Sequence, residues 1–310
     1  MKIAVCISLL FLSAITDAQE LYPNTEPASN LPKGVLAFRL ANQIHQEVNQ
    51  TRLWQGYRFM FGINEKLTIS QTFNFSNHHG YKLPADFIKA NADSTAYYTE
   101  GRQLGNYYPY QFENFDLNFK YRFYTNDKPH EHLRFAAYLD LAGGNEAHDE
   151  AEPSLMGDNS GAALGFIGTY LKNKFAASIT IGAIAPYRYS QTRPKIVMKY
   201  GNAINYSLSL GYLVLPFTYK SYKQTNVNVY VEFMGKSYEA AQVYYKGEKV
   251  STRNVPSLAK GNYLEIRPAI QFIFLSNTRL DISVSRSILN QSYVKTNTPF
   301  YINLQHSFYF

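Results

Sequence analysis

Apolar and polar residues alternate along many segments of this chain. Between Phe115 and Phe123, for example, large apolar residues are separated one by one by polar or charged residues such as Asp116 and Lys120. Because successive side chains of a β-strand point to opposite faces, such a segment predicts a strand with one apolar and one polar face. We predict strands at about 34–44, 54–62, 66–76, 111–125, 131–142, 160–171, 174–185, 195–213, 225–235, 262–274, 278–287 and 299–310.

The strand and connection lengths favour a transmembrane barrel over a soluble sandwich. Segments of about ten to twelve residues suit a tilted strand that crosses a bilayer. The predicted connections alternate between long ones and shorter ones at 63–65, 126–130, 172–173, 214–224 and 275–277. Since hydrocarbon offers no partner to an open strand edge, the strands must close. The predicted fold is all-β, a single antiparallel transmembrane β-barrel of about 12 strands, closed by its N- and C-terminal strands, with both termini periplasmic.

The beginning of the chain predicts export. Lys2 precedes an apolar run at 3–15, and small residues stand at Thr16 and Ala18, so residues 1–18 are expected to be a signal peptide. Residues 19–33 contain three prolines and little periodicity, and are expected to form an extended periplasmic N-terminal segment before an outer-membrane barrel at 34–310. The sequence leaves open whether this segment plugs the lumen. The one cysteine, Cys6, lies in the leader, which excludes thiol chemistry from the mature chain.

Composition narrows the environment further. The 310 residues include 27 Tyr and 21 Phe, whereas only 17% are charged. Such an excess of aromatic residues suits a structure with two aromatic belts at the membrane interfaces. The net charge of +7 is spread along the chain without a nucleic-acid module, so no nucleic-acid partner is expected.

The chain ends on an aromatic strand. Phe308 and Phe310 resemble the terminal signature that barrel-assembly machinery recognises in outer-membrane barrels, and this resemblance implies that they act as the assembly signal. The same alternation places His306 on the apolar face, where a neutral imidazole without a functional role is expected because a charged one would be costly in lipid.

Charged residues on the polar faces of the strands are candidates for the barrel interior. One interpretation is that they pair across the lumen and brace the wall. Another is that they line a polar conduit whose charges select solutes. The candidate lumen-lining residues are Arg39, Arg58, Asp116, Lys120, Arg122, Arg134, Asp140, Glu232, Glu265, Arg267 and Asp281.

Other chemistry is weaker. Glu146, His148, Asp149 and Glu150 form an acidic loop that could bind a divalent cation, but their spacing matches no calcium motif and a solvated loop is favoured. No spacing brings a nucleophile and a base together, so an enzyme is not expected, although an outer-membrane hydrolase remains an alternative. We expect no cofactor.

A resemblance is carried by the segments 26–32 (EPASNLP), 120–123 (KYRF), 202–208 (NAINYSL) and 221–226 (SYKQTN). Together they resemble an uncharacterised family of outer-membrane β-barrels from Bacteroidetes-type, Gram-negative bacteria, distantly similar to the MetA-like transporters of phenol-degradation pathways. The resemblance covers most of the mature chain and implies transport, with metal-related transport as a minor option.

These observations predict an outer-membrane protein that passes a small solute through a charged, porin-like lumen. The alternative is a structural or surface-interaction barrel that acts through its extracellular loops with a closed lumen. The expected partners are outer-membrane lipid and lipopolysaccharide, the barrel-assembly machinery and an unknown small solute.

Overall fold

The computed structural model describes residues 22–46, 50–77, 109–144, 160–193, 195–218, 221, 223–251, 258–292 and 299–309. Within these ranges no helix is long and apolar enough to cross a membrane. The strands, in chain order, are β1 Leu36–Gln46, β2 Thr51–Asn64, β3 Leu67–Ser76, β4 Gln111–Lys128, β5 Glu131–Gly143, β6 Gly161–Lys172, β7 Phe175–Pro186, β8 Tyr189–Thr192, β9 Lys195–Lys199, β10 Ala203–Leu215, β11 Asn226–Tyr238, β12 Gln242–Tyr245, β13 Glu248–Val250, β14 Gly261–Phe274, β15 Thr278–Val284, β16 Arg286–Asn290 and β17 Phe300–Phe308.

Twelve wall strands close into one antiparallel barrel, which confirms the predicted fold class. The wall runs β11-β10-β7-β6-β5-β4-β3-β2-β1-β17-β15-β14, and pairing of β11 with β14 completes the ring. The first and last strands pair directly, with Leu36 opposite Phe308. β15 and β16 both pair with β14 and form one wall strand interrupted at Ser285.

The two faces of the wall follow the alternation of the sequence. The outward face is apolar and open, with Leu164 59%, Ile179 60% and Ile181 56% exposed. The inward face is polar and buried, for example at Asp116 and Arg58. An apolar exterior around a polar interior is the arrangement of a transmembrane barrel and the reverse of a soluble one.

The two ends of the barrel differ, and we call them the turn end and the loop end. At the turn end, short connections join β2 to β3, β4 to β5 and β6 to β7. The first strand, β1, begins at this end, and the last strand, β17, ends there. At the loop end, the connections from β7 to β10 and from β11 to β14 carry a separate four-stranded sheet of order β13-β12-β9-β8. The sheet has its own apolar cluster, centred on Ile196, Met198 and Val243.

This small sheet corrects one predicted strand. The sequence predicts a single strand at 195–213, but the structure divides it into β9 and β10. β9 belongs to the small sheet because it pairs with β12, more than forty residues later in the chain. Local periodicity does not carry information about such a distant partner.

His306 lies on the outward face, as predicted, but it has a partner that the sequence analysis did not identify. Its Nδ1 lies 2.8 Å from the hydroxyl oxygen of Thr278 on the neighbouring strand β15. Its ring also packs edge-on against Phe308, with 4.6 Å between the ring centroids.

Candidate functional site: the lumen and its N-terminal segment

Residues 22–33, which we call the plug segment, run through the barrel to the start of β1, and residues 22–31 of this segment lie inside it. Their side chains and backbone contact wall strands on opposite sides of the ring, including β2 and β4 through Glu26, β6 through Ala28 and β11 through Thr25. A segment that touches all sides of a closed barrel must lie in its lumen. The sequence analysis expects a periplasmic lead-in and leaves its entry into the lumen open; the contacts now show that residues 22–31 are inside.

The composition of the plug segment suits this position. Pro23, Pro27 and Pro32 favour an extended chain and bring no N–H groups that would need partners in the lumen. Four of the remaining backbone amides donate to side chains of the wall. The Ala28 amide donates to Thr169 Oγ1 at 2.8 Å, and the Leu31 amide donates to Thr68 Oγ1 at 3.1 Å.

One end of the plug segment is held by a single wall carboxylate, Glu232 on β11. The Asn24 amide donates to its Oε2 at 3.0 Å and the Thr25 amide to its Oε1 at 3.1 Å. The side chains of the same two residues donate to the same carboxylate, at 2.6 Å from Asn24 and 2.8 Å from Thr25. Glu232 is fully buried, so these four hydrogen bonds replace the water that its charge would otherwise require.

The middle of the plug segment is held by wall cations. Glu26 forms ion pairs with Arg58 on β2 and, at 3.3 Å, with Lys120 on β4. Lys120 also donates to the Pro27 carbonyl at 2.9 Å, and Arg39 donates to the Pro23 carbonyl. Burial by itself raises the pKa of Glu26, but Arg58, Lys120 and Arg39 lower it, and the net result is a pKa well below the usual range.

The C-terminal part of the plug segment leads into β1 at the turn end. Arg134 donates to Ser29 Oγ at 2.9 Å, and beyond this point Gly34 donates to the Gly62 carbonyl at 2.8 Å. Gly34 adopts a φ of 79°, which glycine reaches without strain. At Gly62 any side chain would collide with the carbonyl oxygens of Leu31 and Pro32, so the passage of the chain over β2 requires glycine there.

Charged residues of the wall also pair with one another, and several of them are predicted lumen residues. Arg267 and Glu265 form an ion pair at 2.8 Å, and Asp281 lies 3.1 Å from Arg279 and 3.8 Å from Arg39. These contacts fit the wall-bracing interpretation for this part of the lumen.

The predicted residues Asp116 and Asp140 have few or no direct partners. Asn118 donates to Asp140, whereas both oxygens of Asp116 are buried without a hydrogen-bond partner within the described part of the chain. They lie near Arg58, the cation that holds Glu26, and they contribute to its electrostatic environment.

Arg122 differs from the other predicted lumen residues. It shares the inward face of β4, but it lies at the turn end, is only half-buried and donates to the Glu65 carbonyl at 2.8 Å. A register shift between Arg122 and Tyr124 ends the regular alternation there. Its place in a solute path stays a prediction.

Several charged residues inside the barrel are not among the predicted lumen residues. They include Glu26, Glu113, Lys236 and Arg279. Arg279 could have been found, because it shares a face with Asp281 on β15. Lys236 lies just beyond the end of the strand predicted at 225–235, but β11 extends to Tyr238. Glu113 points inward because of a register shift opposite Asn74 and Phe75, which places two consecutive residues of β4 on the buried side.

The candidate metal ligands Glu146, His148, Asp149 and Glu150 lie outside the described residues, as does Phe310 of the expected assembly signal. Phe308 is 42% exposed on the outward face. Among the described residues no group of three or more His, Cys, Asp or Glu side chains could hold a metal ion.

A small cavity remains between the plug segment and the wall. It has a volume of about 30 Å³, which is space for about two water molecules. Its polar lining includes Thr25 and Glu26 of the plug segment and Arg39, Lys120 and Arg279 of the wall.

The closed ring, the apolar exterior and the polar, segment-filled interior define the fold of an outer-membrane β-barrel. Among solved structures, an outer-membrane channel from Pseudomonas putida F1 is similar, with a TM-score of 0.58 and 14% identity over 93% of this chain and 100% of that chain. The NanC porin matches with a TM-score of 0.45 and 8% identity, over 87% of this chain and 98% of its own. The KdgM porin matches with a TM-score of 0.43 and 7% identity, over 88% and 99%.

At 14% identity the likeness to the Pseudomonas channel shows the fold alone, and the two porins are more distant still. No family model and no curated protein sequence matches the chain.

Proposed function

We propose that this protein is a passive outer-membrane channel for a small solute, with a polar lumen that the plug segment closes in the conformation described here. The observation that carries the proposal is the way in which the lumen is filled. The obstruction is a separate stretch of chain that is held chiefly by hydrogen bonds and ion pairs. Eight-stranded barrels, by contrast, are narrow enough to be filled by the side chains of their own wall.

The wall itself supports a conduit once the plug segment leaves. The residues that hold the segment, among them Arg58, Lys120 and Glu232, lie on regular strands with extensive pairing to their neighbours. They would stay in place and line a polar passage wide enough for an extended polypeptide. We therefore propose passage and not catalysis as the activity.

In this proposal the turn end faces the periplasm, as short turns do in bacterial barrels, and both termini lie on that side. The plug segment would then leave towards the periplasm, the side on which it joins β1. Lipid and lipopolysaccharide would contact the outward face, and the assembly machinery would contact the terminal strand at Phe308. A metal substrate would remain a minor option.

A reversible cross-link tests the proposal. The hydroxyl oxygens of Thr25 in the plug segment and Ser209 in β10 lie 2.7 Å apart. Cysteines at both positions would place two sulfur atoms near the S–S bond length of about 2.0 Å. We expect the Thr25→Cys/Ser209→Cys variant to be impermeable in liposomes when oxidised and permeable when reduced. Equal permeability in the two states would contradict a gate formed by this segment.

The alternative is a barrel that acts through its loop-end surface with a permanently closed lumen. The small sheet with its own apolar cluster favours it, because ordered structure beyond the barrel end is not needed for passage. Reduced and oxidised variants that both remain at the level of empty liposomes would favour this alternative.

A further inference from the structure

We infer that Arg39, Arg58 and Lys120 form an anion-binding site of the lumen, which the plug segment fills with its own oxygen atoms until a carboxylate-bearing solute takes their place. The inference rests on the proposed channel function and adds to it a class of solute and a means of opening.

The three wall cations already bind oxygen atoms of the plug segment. Arg39, Arg58 and Lys120 lie on three different wall strands, and each donates to an oxygen atom of the plug segment. The acceptors are the Glu26 carboxylate and the carbonyl groups of Pro23 and Pro27. Guanidinium and ammonium groups that converge on a carboxylate are the usual protein receptor for an anionic ligand.

The three wall cations are also buried, so their charges depend on nearby partners. Arg39, Arg58 and Lys120 are 8%, 4% and 5% exposed. Removal of Glu26 alone would take away the carboxylate with which Arg58 and Lys120 form ion pairs, and the loss of one partner from a buried ion pair is strongly destabilising. A solute carboxylate that replaced Glu26 would restore the pairing, whereas a neutral solute of the same size would not. The exchange therefore favours anions.

A small cavity lies beside the wall cations and gives a ligand room to enter. The cavity of about 30 Å³ adjoins Glu26, Arg39 and Lys120, and Arg279 completes its cationic side. Asp281 lies 3.1 Å from Arg279 and 3.8 Å from Arg39, so the positive charge available to a ligand is concentrated at Lys120. A carboxylate that entered this cavity could contact Lys120 before Glu26 had left. If the solute carboxylate binds before the Glu26 carboxylate leaves, the ion pairs of the wall cations are never broken without a replacement.

The experiment measures release of the plug segment in the full-length chain. Ser29 is 1% exposed in the lumen, so a cysteine at this position should react with a maleimide only after the segment has moved. The reaction rate is compared in sodium acetate, in sodium chloride of equal ionic strength and in acetamide, a neutral molecule of similar size. Lys33→Cys, at an exposed position of the same segment, controls for effects on the reagent.

We expect acetate to accelerate labelling of Ser29→Cys several-fold over chloride and acetamide, with no change at Lys33→Cys. The additional substitution Lys120→Gln should abolish the acetate effect, whereas Arg122→Gln on the same face of β4 should retain it. Heat-dependent migration on a gel checks that each variant is folded.

Equal acceleration by acetate and chloride would overturn the inference, because it would show screening of the ion pairs and not binding of a carboxylate. An acetate effect that survives Lys120→Gln would also overturn it. A chain that shows the acetate effect but remains impermeable in the reduced cross-link variant would contradict the channel function and leave the anion site in place. Permeability without an acetate effect would do the reverse.

Discussion

The substitution Glu26→Gln removes the charge that joins the plug segment to two wall cations while keeping the shape of the side chain. Loss of one partner of a buried ion pair typically costs about 3–5 kcal/mol. The Glu26 side chain is 24% exposed, and glutamine still offers one oxygen to Arg58. We therefore expect Glu26→Gln to destabilise the docked segment by less than this range, by about 2–3 kcal/mol. Because about 1.4 kcal/mol corresponds to a tenfold change, the ratio of open to closed lumen should rise roughly 30- to 150-fold.

The assay for this prediction is the maleimide labelling rate of Ser29→Cys, which follows the population of the open state when closing is fast. Glu65→Gln is the matched control, since Glu65 is an exposed residue in the turn between β2 and β3. A labelling rate that stays within twofold of the parent after Glu26→Gln would refute the view that this ion pair holds the plug segment. So would an equal increase in Glu65→Gln.

Three further predictions follow from particular contacts. The pKa of Glu26 is lowered in the docked segment, so the stabilisation it gives is present above its ordinary pKa of about 4.3 and is lost progressively as the pH falls below that value. The labelling rate of Ser29→Cys divided by that of Lys33→Cys, a ratio that cancels the slower reaction of thiols in acid, should therefore rise in acid, and Glu26→Gln should remove this part of the pH dependence. Gly182→Ala would place a methyl group against the Tyr138 hydroxyl and Asn205 inside the barrel, and should lower the free energy of unfolding in urea by about 1–3 kcal/mol. Gly168→Ala is the control and should be tolerated, because its neighbours are the outward side chains of Phe135 and Ile179. His306→Leu removes one partner of Thr278, but Thr278 still contacts Asn277, so unfolding should change by less than about 1 kcal/mol; a larger loss would indicate a role for the imidazole beyond this bond.

The architecture of the wall is predictable from the sequence because each strand meets two solvents of opposite character. Alternation is imposed locally, residue by residue, and survives wherever the pairing is regular, as between β5 and β6. It fails where the register shifts, as at Glu113, because one extra residue reverses the faces that follow.

The plug segment is less predictable for a physical reason. Many of its contacts are hydrogen bonds from irregular backbone to wall side chains, such as that from Ala28 to Thr169, and they follow no period. Glu26 has no local signal that marks it as a buried ion-pair partner, because Arg58 and Lys120 are distant in the chain. The prolines of the segment indicate an extended conformation, but they are equally compatible with a free lead-in.

Single-channel conductance tests the central claim most directly, namely that the barrel is a channel closed by its own N-terminal segment. We predict that the parent chain in a planar bilayer is closed for most of the recording, and that a variant lacking residues 22–33 shows a stable open conductance while retaining heat-dependent gel migration. A folded variant without the segment that conducts no more than the parent would contradict the account.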